Sequence, residues 1–203
     1  MKLESVVYAV AGICFGLISG WFIGSQQAAL SSRPVAPPAA QSAPQSAPSG
    51  SVPGTPPPAI LDESKVQALR TVADKDSTNA VARAQLGNLY YDAGRYTDAI
   101  KWYADSLAIN PKDVDVSTDL GVSYYYNNQP DLALKQLEHS LQLDPKHTKS
   151  LLNMGVVRAF GKQDLKGATE VWRRLVDIAP DSLEGRQAKQ ALDSLSSAHG
   201  NAQ

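Results

Sequence analysis

Few side chains in this sequence have the type and spacing that catalysis needs. The three histidines, His139, His147 and His199, are scattered along the chain. The sequence contains no glycine-rich phosphate loop, no Gly-x-Ser-x-Gly elbow and no His-Glu-x-x-His zinc motif. The single cysteine, Cys14, excludes an intramolecular disulfide and a cysteine-based zinc site. We therefore expect solvated surface histidines and a protein that is not an enzyme, with no metal and no cofactor.

Charge excludes a second class of function. The 203-residue chain has a formal net charge of -1 and contains no basic run. Nucleic-acid binding normally requires a basic stripe, so we expect no nucleic-acid partner. The remaining chemistry is that of aromatic, amide and acidic side chains, which bind peptides by stacking and hydrogen bonding.

A sequence pattern recurs at an offset of 34 residues, and the structural elements that it specifies must position the aromatic, amide and acidic side chains. Leu86-Gly87, Tyr90, Ala99, Tyr103 and Pro111 recur as Leu120-Gly121, Tyr124, Ala133, Leu137 and Pro145. A degraded third copy has Met154-Gly155, Ala168, Trp172 and Pro180, with one extra residue between its halves. Self-similarity at this interval indicates a solenoid of paired helices.

The spacing has a direct physical interpretation. Leu86 and Tyr90 lie four residues apart on one face of a first helix, and Gly87 allows a second helix to approach closely. Pro111 ends that second helix, because proline cannot continue it. The three copies resemble tetratricopeptide (TPR) repeats, which implies an all-α TPR helical solenoid.

We place this domain at residues 59–197, followed by a tail at 198–203. The three repeats are predicted at about 80–112, 113–146 and 147–181, with end helices at about 60–75 and 182–196. Solenoids need polar-faced helices at their ends, so we expect eight helices in total.

The resemblance also implies a concave groove lined by the first helix of each repeat. Projecting that stripe selects Asn88, Tyr91, Asp92, Asp115, Thr118, Asp119, Val122, Tyr125, Tyr126, Lys149, Asn153, Val156 and Phe160. The mixture of aromatic, amide and acidic groups suits an extended or helical peptide. The alternative is that Tyr125, Tyr126 and Phe160 only fill space between neighbouring repeats.

One comparison within the family bears on the ligand. TPR repeats that bind the acidic C-terminal tails of cytosolic heat-shock chaperones use a clamp of Lys, Asn, Asn, Lys and Arg. The matching places here hold Ala84, Asn88, Asp119, Lys149 and Asn153, of which only Asn88 and Lys149 agree. Since Asp119 would repel a carboxylate, a basic or neutral partner is favoured.

The N-terminus is predicted to be a transmembrane anchor at residues 1–24. From Ser5 to Gly24 the sequence SVVYAVAGICFGLISGWFIG has no formal charge and would span about 30 Å as a helix. A cleaved signal peptide and a buried core helix are the alternatives. A cleavage site near Gln26-Gln27-Ala28-Ala29 would place glutamine where a small residue is needed.

Small residues and charge suggest how this anchor behaves. Gly12, Gly16, Gly20 and Gly24 fall every fourth residue, a spacing that lets two membrane helices pack closely. A homo-oligomer is therefore a second expectation. Lys2 precedes the span and Arg33 follows it, which favours a cytoplasmic N-terminus and a repeat domain on the exported, periplasmic or extracellular, side.

Residues 25–58 join the anchor to the repeats. Nine of the 13 prolines lie between Pro34 and Pro58, among Ala, Ser and Gln. This composition predicts a disordered spacer with polyproline II character.

These elements together predict a membrane-tethered adaptor that docks a peptide segment of another protein. The layout resembles bacterial inner-membrane repeat proteins that assist assembly of envelope complexes. The alternative is a self-associating structural scaffold in which the glycine stripe drives assembly and the groove is idle.

Overall fold

The computed structural model describes residues 59–200, with side chains as far as residue 197. Within this range the chain forms helices and no strands, in the order α1 (Glu63–Lys75), α2 (Ala80–Asp92), α3 (Tyr96–Ile109), α4 (Val114–Tyr126), α5 (Pro130–Leu143), α6 (Thr148–Val156), α7 (Leu165–Ile178) and α8 (Leu183–Gly200). A π-helical turn, Val157–Gly161, extends α6. The prediction of eight helices is confirmed for the described residues.

Local sequence determines where these helices begin. Asp62, Asn79, Asp113 and Asp164 each accept a hydrogen bond from the backbone N–H three residues ahead, which caps α1, α2, α4 and α7. Pro130 occupies the first turn of α5, where a missing N–H costs nothing. These signals fix the register of each helix pair.

Glycine and a large side chain bring the two helices of each repeat together. A β-carbon on Gly87 would lie 2.5 Å from Cδ1 of Tyr103. Gly121 lies in the same way against Leu137, and Gly155 against Trp172. The close approach predicted from the repeat spacing is therefore present in all three units.

The turn between the paired helices also repeats. Gly94, Asn128 and Gln163 have φ angles of 71°, 59° and 57°, so each has a left-handed backbone. The third copy reaches its turn one residue later than the first two. Its π-helical turn contains one more residue per turn than an α-helix and takes up this insertion.

The hydrophobic core consists of three adjoining clusters along the array of repeats. The first joins α1 to the first repeat, the second lies around Ala133, Leu137, Met154 and Val157, and the third joins the last repeat to α8. The end helices therefore cover the two ends of the repeat array. Helix α8 supplies Ala188, Ala191 and Leu195 to this core.

Candidate peptide-binding groove

The predicted groove side chains fall on the first helices of the repeats, α2, α4 and α6, and on the π-helical turn. Helix α4 contacts α6, and the Tyr91 ring of α2 meets the Tyr126 ring of α4, so the first helices lie beside one another. We use the term candidate groove for the partly or fully exposed positions of this set on α2, α4 and α6, apart from Tyr125, which packs against the core: Asn88, Tyr91, Asp92, Asp115, Asp119, Val122, Tyr126, Lys149 and Asn153.

A cluster of tyrosine rings connects the first two repeats. The ring of Tyr126 lies 5.9 Å from that of Tyr91 and 5.1 Å from that of Tyr96, with which it stacks. Tyr91 and Tyr96 meet edge to face at 5.5 Å. Tyr96 was not predicted, because it begins the second helix of its repeat. Its place two residues after the turn glycine, Gly94, is the signal that could have identified it.

Burial alters the acid–base behaviour of this cluster. It raises the pKa of Tyr126 to about 12, with the neighbouring Tyr96 and Tyr125 adding to the effect and a hydrogen bond from Tyr91 opposing it. Burial also raises the pKa of Tyr91. The raised pKa of both phenols keeps their hydroxyl groups protonated at physiological pH, so they can act as hydrogen-bond donors.

Asp119 is the most perturbed acid of the candidate groove. Burial is the largest cause and raises the pKa of its carboxyl to about 6. The Lys149 ammonium opposes this rise, whereas the carboxylates of Asp115, Asp113 and Asp92 add to it. The carboxylate makes no ion pair within 4 Å with any residue between 59 and 197.

Lys149 forms an ion pair with a different acid, Asp115. Its Nζ lies 3.2 Å from Oδ1 of Asp115, and both side chains are more than half exposed. The hydrogen bond to Asp115 is the largest cause that raises the pKa of Lys149. Lys149 is therefore paired directly with Asp115 and acts on Asp119 only from a distance greater than 4 Å.

Asn88 contacts both the buried Tyr103 and an apolar depression. Its Oδ1 accepts a hydrogen bond of 2.6 Å from the Tyr103 hydroxyl. It also lines an open depression of about 400 Å³ between α1 and α2, whose other lining residues are Lys65, Ala68, Leu69, Gln85 and Leu89. This volume lies within the range of small ligand sites.

Two predicted groove residues are buried instead, which corrects the sequence-based projection. Thr118 is 1% exposed and Val156 is 6% exposed. The Thr118 hydroxyl donates to the Val114 carbonyl oxygen and is hydrogen-bonded to Ser150 Oγ at 2.6 Å, between two repeats. Val156 belongs to the core beneath α7 and α8. Both positions stabilise the stack and are not available to a ligand.

Tyr125 and Phe160 are partly buried and pack against the core. A β-carbon on Gly161 would lie 3.2 Å from the Tyr125 ring, which places that ring against the π-helical turn. Their position agrees with space filling between repeats. Asn153 donates from Nδ2 to the Lys149 carbonyl oxygen, within its own helix.

His147 corrects the expectation of a solvated histidine. Its side chain is 17% exposed, with Nε2 3.4 Å from Asp115 Oδ1. Its Nδ1 is hydrogen-bonded to Ser150 Oγ at 2.8 Å. Serine, histidine and aspartate therefore adjoin one another, but Ser150 is fully buried and cannot meet a substrate. The arrangement joins the second and third repeats.

The predicted membrane anchor, including Gly12, Gly16, Gly20 and Gly24, and the spacer lie outside the described residues. Among the helices of residues 59–200, none combines the length and apolar character that crossing a membrane requires. The same part of the chain holds no group of three or more His, Cys, Asp or Glu side chains arranged to bind a metal ion.

Comparison with known proteins supports the repeat assignment. Residues 87–128 match the family described as TPR repeat. The first TPR domain of Spaghetti (RPAP3), solved bound to the HSP90 peptide SRMEEVD, is 25% identical, with a TM-score of 0.54 over 62% of this chain and 96% of that chain. The crystal structure of MamA superposes over 68% of this chain and 88% of its own with a TM-score of 0.55; at 16% identity it shows the fold alone.

Curated relatives match the repeats in the same way. The BBSome complex member BBS4 of Bos taurus is 30% identical over 100 residues, which is 49% of this chain and 19% of that protein. Hsp70-Hsp90 organizing protein 3 of Arabidopsis thaliana is 27% identical over 144 residues, covering 58% of this chain and 26% of that protein. The matched segments thus span about a fifth to about a quarter of these relatives' length.

Fold and repeat together define the class of protein. Paired helices that recur at a fixed interval, with neighbouring pairs packed on one another, form a helical repeat solenoid. The described domain is an all-helical TPR solenoid, and residues 87–128 within it match the TPR repeat family.

Proposed function

We propose that this protein is a membrane-tethered, non-enzymatic adaptor that docks a peptide segment of a partner protein in its candidate groove. The observation that carries the proposal is the tyrosine ring contact of 5.9 Å between α2 and α4, together with the carboxylate of Asp119 on α4, whose charge acts on Tyr91 and which has no ion pair among the described side chains. Aromatic faces and polar groups in one concave site are suited to gripping a peptide. The peptide bound to the Spaghetti domain, 25% identical to this chain, gives the proposal a precedent in a related domain.

The N-terminal segment supplies the location in this proposal. The uncharged run Ser5–Gly24 would anchor the chain in a bilayer with a cytoplasmic N-terminus. Residues 25–58 would act as a spacer that lets the repeats reach a partner at a distance from the membrane. An adaptor of this layout suits assembly of an envelope complex on the exported side.

Site-specific photocrosslinking tests the docking proposal. A benzoylphenylalanine at Val122, which is partly exposed in the candidate groove, should crosslink a partner in native membranes. The same group at Gln142, an exposed position of α5, serves as the matched control. Groove docking requires a product that forms from position 122 and not from 142, and that disappears when Asn153 is replaced by Arg to obstruct the groove. Identical products from both positions would contradict it.

Protease accessibility tests the location. The repeat domain should resist added protease in intact cells and be cleaved once the outer barrier is permeabilised or removed. Cleavage only after the inner membrane is lysed would place the domain in the cytoplasm and would refute the proposed orientation.

A structural scaffold is the second candidate, and the four-residue glycine spacing favours it. Replacing Gly16 and Gly20 by Ile should weaken self-association in membranes, because bulky side chains would separate the helices. Loss of cellular function together with loss of oligomers would favour the scaffold. Loss of oligomers with partner crosslinking intact would favour the adaptor.

A further inference from the structure

We propose that the candidate groove selects a partner segment in which a basic side chain lies beside an apolar one. The Lys or Arg side chain would pair with Asp119, and the apolar side chain would fill the depression between α1 and α2. This inference rests on the proposed docking function and adds the chemical class of the ligand.

Charge complementarity is the first argument. Asp119 is partly buried and has no counter-ion within 4 Å among the described side chains, since Lys149 is paired with Asp115. A charge removed from water without a partner is unfavourable, so a ligand cation that reaches it gains more than at an exposed acid. The unpaired carboxylate is therefore a specific place for a cationic side chain.

The charged groups around Asp119 also favour a cationic ligand side chain. Carboxylates of Asp92, Asp113 and Asp115 lie close enough to raise the pKa of Asp119, and only Lys149 opposes them. The field at this part of the groove is consequently negative. It attracts basic segments and disfavours acidic ones, because like charges brought together in an interface are costly.

The tyrosine cluster supplies contacts for the stem of a basic side chain. The charge of Asp119 acts on Tyr91, whose pKa it helps to raise, and Tyr91 adjoins Tyr126 at 5.9 Å. Guanidinium and ammonium groups bind aromatic faces, and Arg stacks on them especially well. A carboxylate beside tyrosine rings therefore favours Arg or Lys over a neutral polar residue.

Asn88 links the apolar depression to the groups around Asp119. It lines the depression, and its side chain accepts the hydrogen bond of Tyr103, whose pKa rises partly because of Asp119. Asn88 and Tyr103 thus link the depression to the surroundings of Asp119. The Leu69 and Leu89 side chains line the depression and provide its apolar surface.

A randomised nine-residue peptide library on beads tests the inference directly. The full chain, purified in detergent and fluorescently labelled, is incubated with the library at pH 7.5, and bound beads are sequenced. We expect at least a threefold enrichment of Lys and Arg, adjacent to or one residue away from Leu, Ile, Val or Phe, and depletion of Asp and Glu.

Two variants with the same change in charge provide the control. Asp119→Asn should abolish the basic enrichment, whereas Asp177→Asn, at an exposed position of α7, should leave it unchanged. Circular dichroism establishes that both variants are folded. Acidic enrichment, no charge preference, no bound beads, or the same enrichment with Asp119→Asn would overturn the inference. Groove-specific crosslinking in membranes would still stand in each of these cases, so the two proposals fail separately.

Discussion

Gly155 faces the indole of Trp172 so closely that a β-carbon would lie 2.5 Å from both Cδ1 and Cε2 of the ring. Trp172 is fully buried, and its Nε1 donates to the Leu152 carbonyl oxygen at 3.2 Å. Close packing and the hydrogen bond to Leu152 therefore hold the Trp172 ring in place, so it cannot easily move away from Gly155. This contact joins the two helices of the third repeat.

Gly155→Ala should consequently destabilise the domain. Alanine is favoured over glycine in a helix by about 1 kcal/mol, so propensity alone predicts stabilisation. Overpacking a rigid core costs about 1–3 kcal/mol and reverses the sign. After the propensity gain is subtracted, we expect the free energy of unfolding, measured by urea denaturation, to fall by up to about 2 kcal/mol.

A double-mutant cycle separates this clash from other effects. Trp172→Leu mimics the second repeat, where Gly121 lies against Leu137. In that background Gly155→Ala should cost at least about 1 kcal/mol less than in the natural chain, because the smaller side chain leaves room. Additive costs would show that the glycine is needed for another reason.

The left-handed turn of the third repeat gives a stabilising prediction. Gln163 has φ 57°, a conformation that costs a residue with a β-carbon about 1 kcal/mol or more. Its side chain is exposed, so replacement loses little packing. Gln163→Gly should raise the thermal midpoint by a few degrees. The reciprocal change, Gly94→Gln in the first repeat, should lower it, and a rise in midpoint there would refute the backbone argument.

The helix pairs could be predicted from sequence because their determinants are local and repeated. Small residues at fixed spacing, such as Gly87 and Gly155, mark the places where helices touch, and proline marks where they end. Gln163 could not be predicted as a left-handed residue, because the inserted residue moved the turn and no glycine marks it.

The groove could be predicted less completely than the fold. Projecting the sequence onto a helix shows on which face of the helix a side chain lies. It does not show how deeply the neighbouring repeat buries that side chain. Thr118 and Asp119 are adjacent, yet Thr118 is sealed by Ser150 of the next repeat while Asp119 remains partly exposed. Tyr96 was missed because it reaches the groove from a second helix. Both errors come from contacts between repeats, which a single repeat pattern does not specify.

The Thr118–Ser150 hydrogen bond should couple the second and third repeats. Thr118→Val keeps the shape but removes the hydroxyl, and we expect a loss of about 1–2 kcal/mol in the free energy of unfolding. Ser150→Ala removes the partner. If the bond is direct, the double variant should lose about 1 kcal/mol less than the sum of the single variants. Losses that add fully would refute the coupling.

Asp119 should make the domain less stable as pH rises. Burial raises the pKa of its carboxyl from an ordinary 3.8 to about 6, so the folded protein binds this proton more tightly than the unfolded chain. For an acid with a raised pKa, ionisation disfavours the folded state. Its contribution is therefore neutral below about pH 4, becomes increasingly unfavourable up to about pH 6, and is constant above that pH.

Asp119→Asn removes this penalty and should stabilise the protein above pH 6 by up to about 3 kcal/mol, since one pKa unit corresponds to about 1.4 kcal/mol and the pKa rises from 3.8 to about 6. The charged groups that act on Asp119 are Lys149 on α6, Asp92 on α2, and Asp113 and Asp115 at the start of α4; all are unchanged in the variant. Urea denaturation between pH 4 and pH 8 measures the difference, which should vanish near pH 4. Asp177→Asn, with the same change in charge at an exposed site, should differ from the natural chain by less than about 0.5 kcal/mol throughout. Equal pH profiles for the natural chain and Asp119→Asn would mean that a counter-ion already satisfies the carboxylate, and the place proposed for a ligand cation would then be occupied.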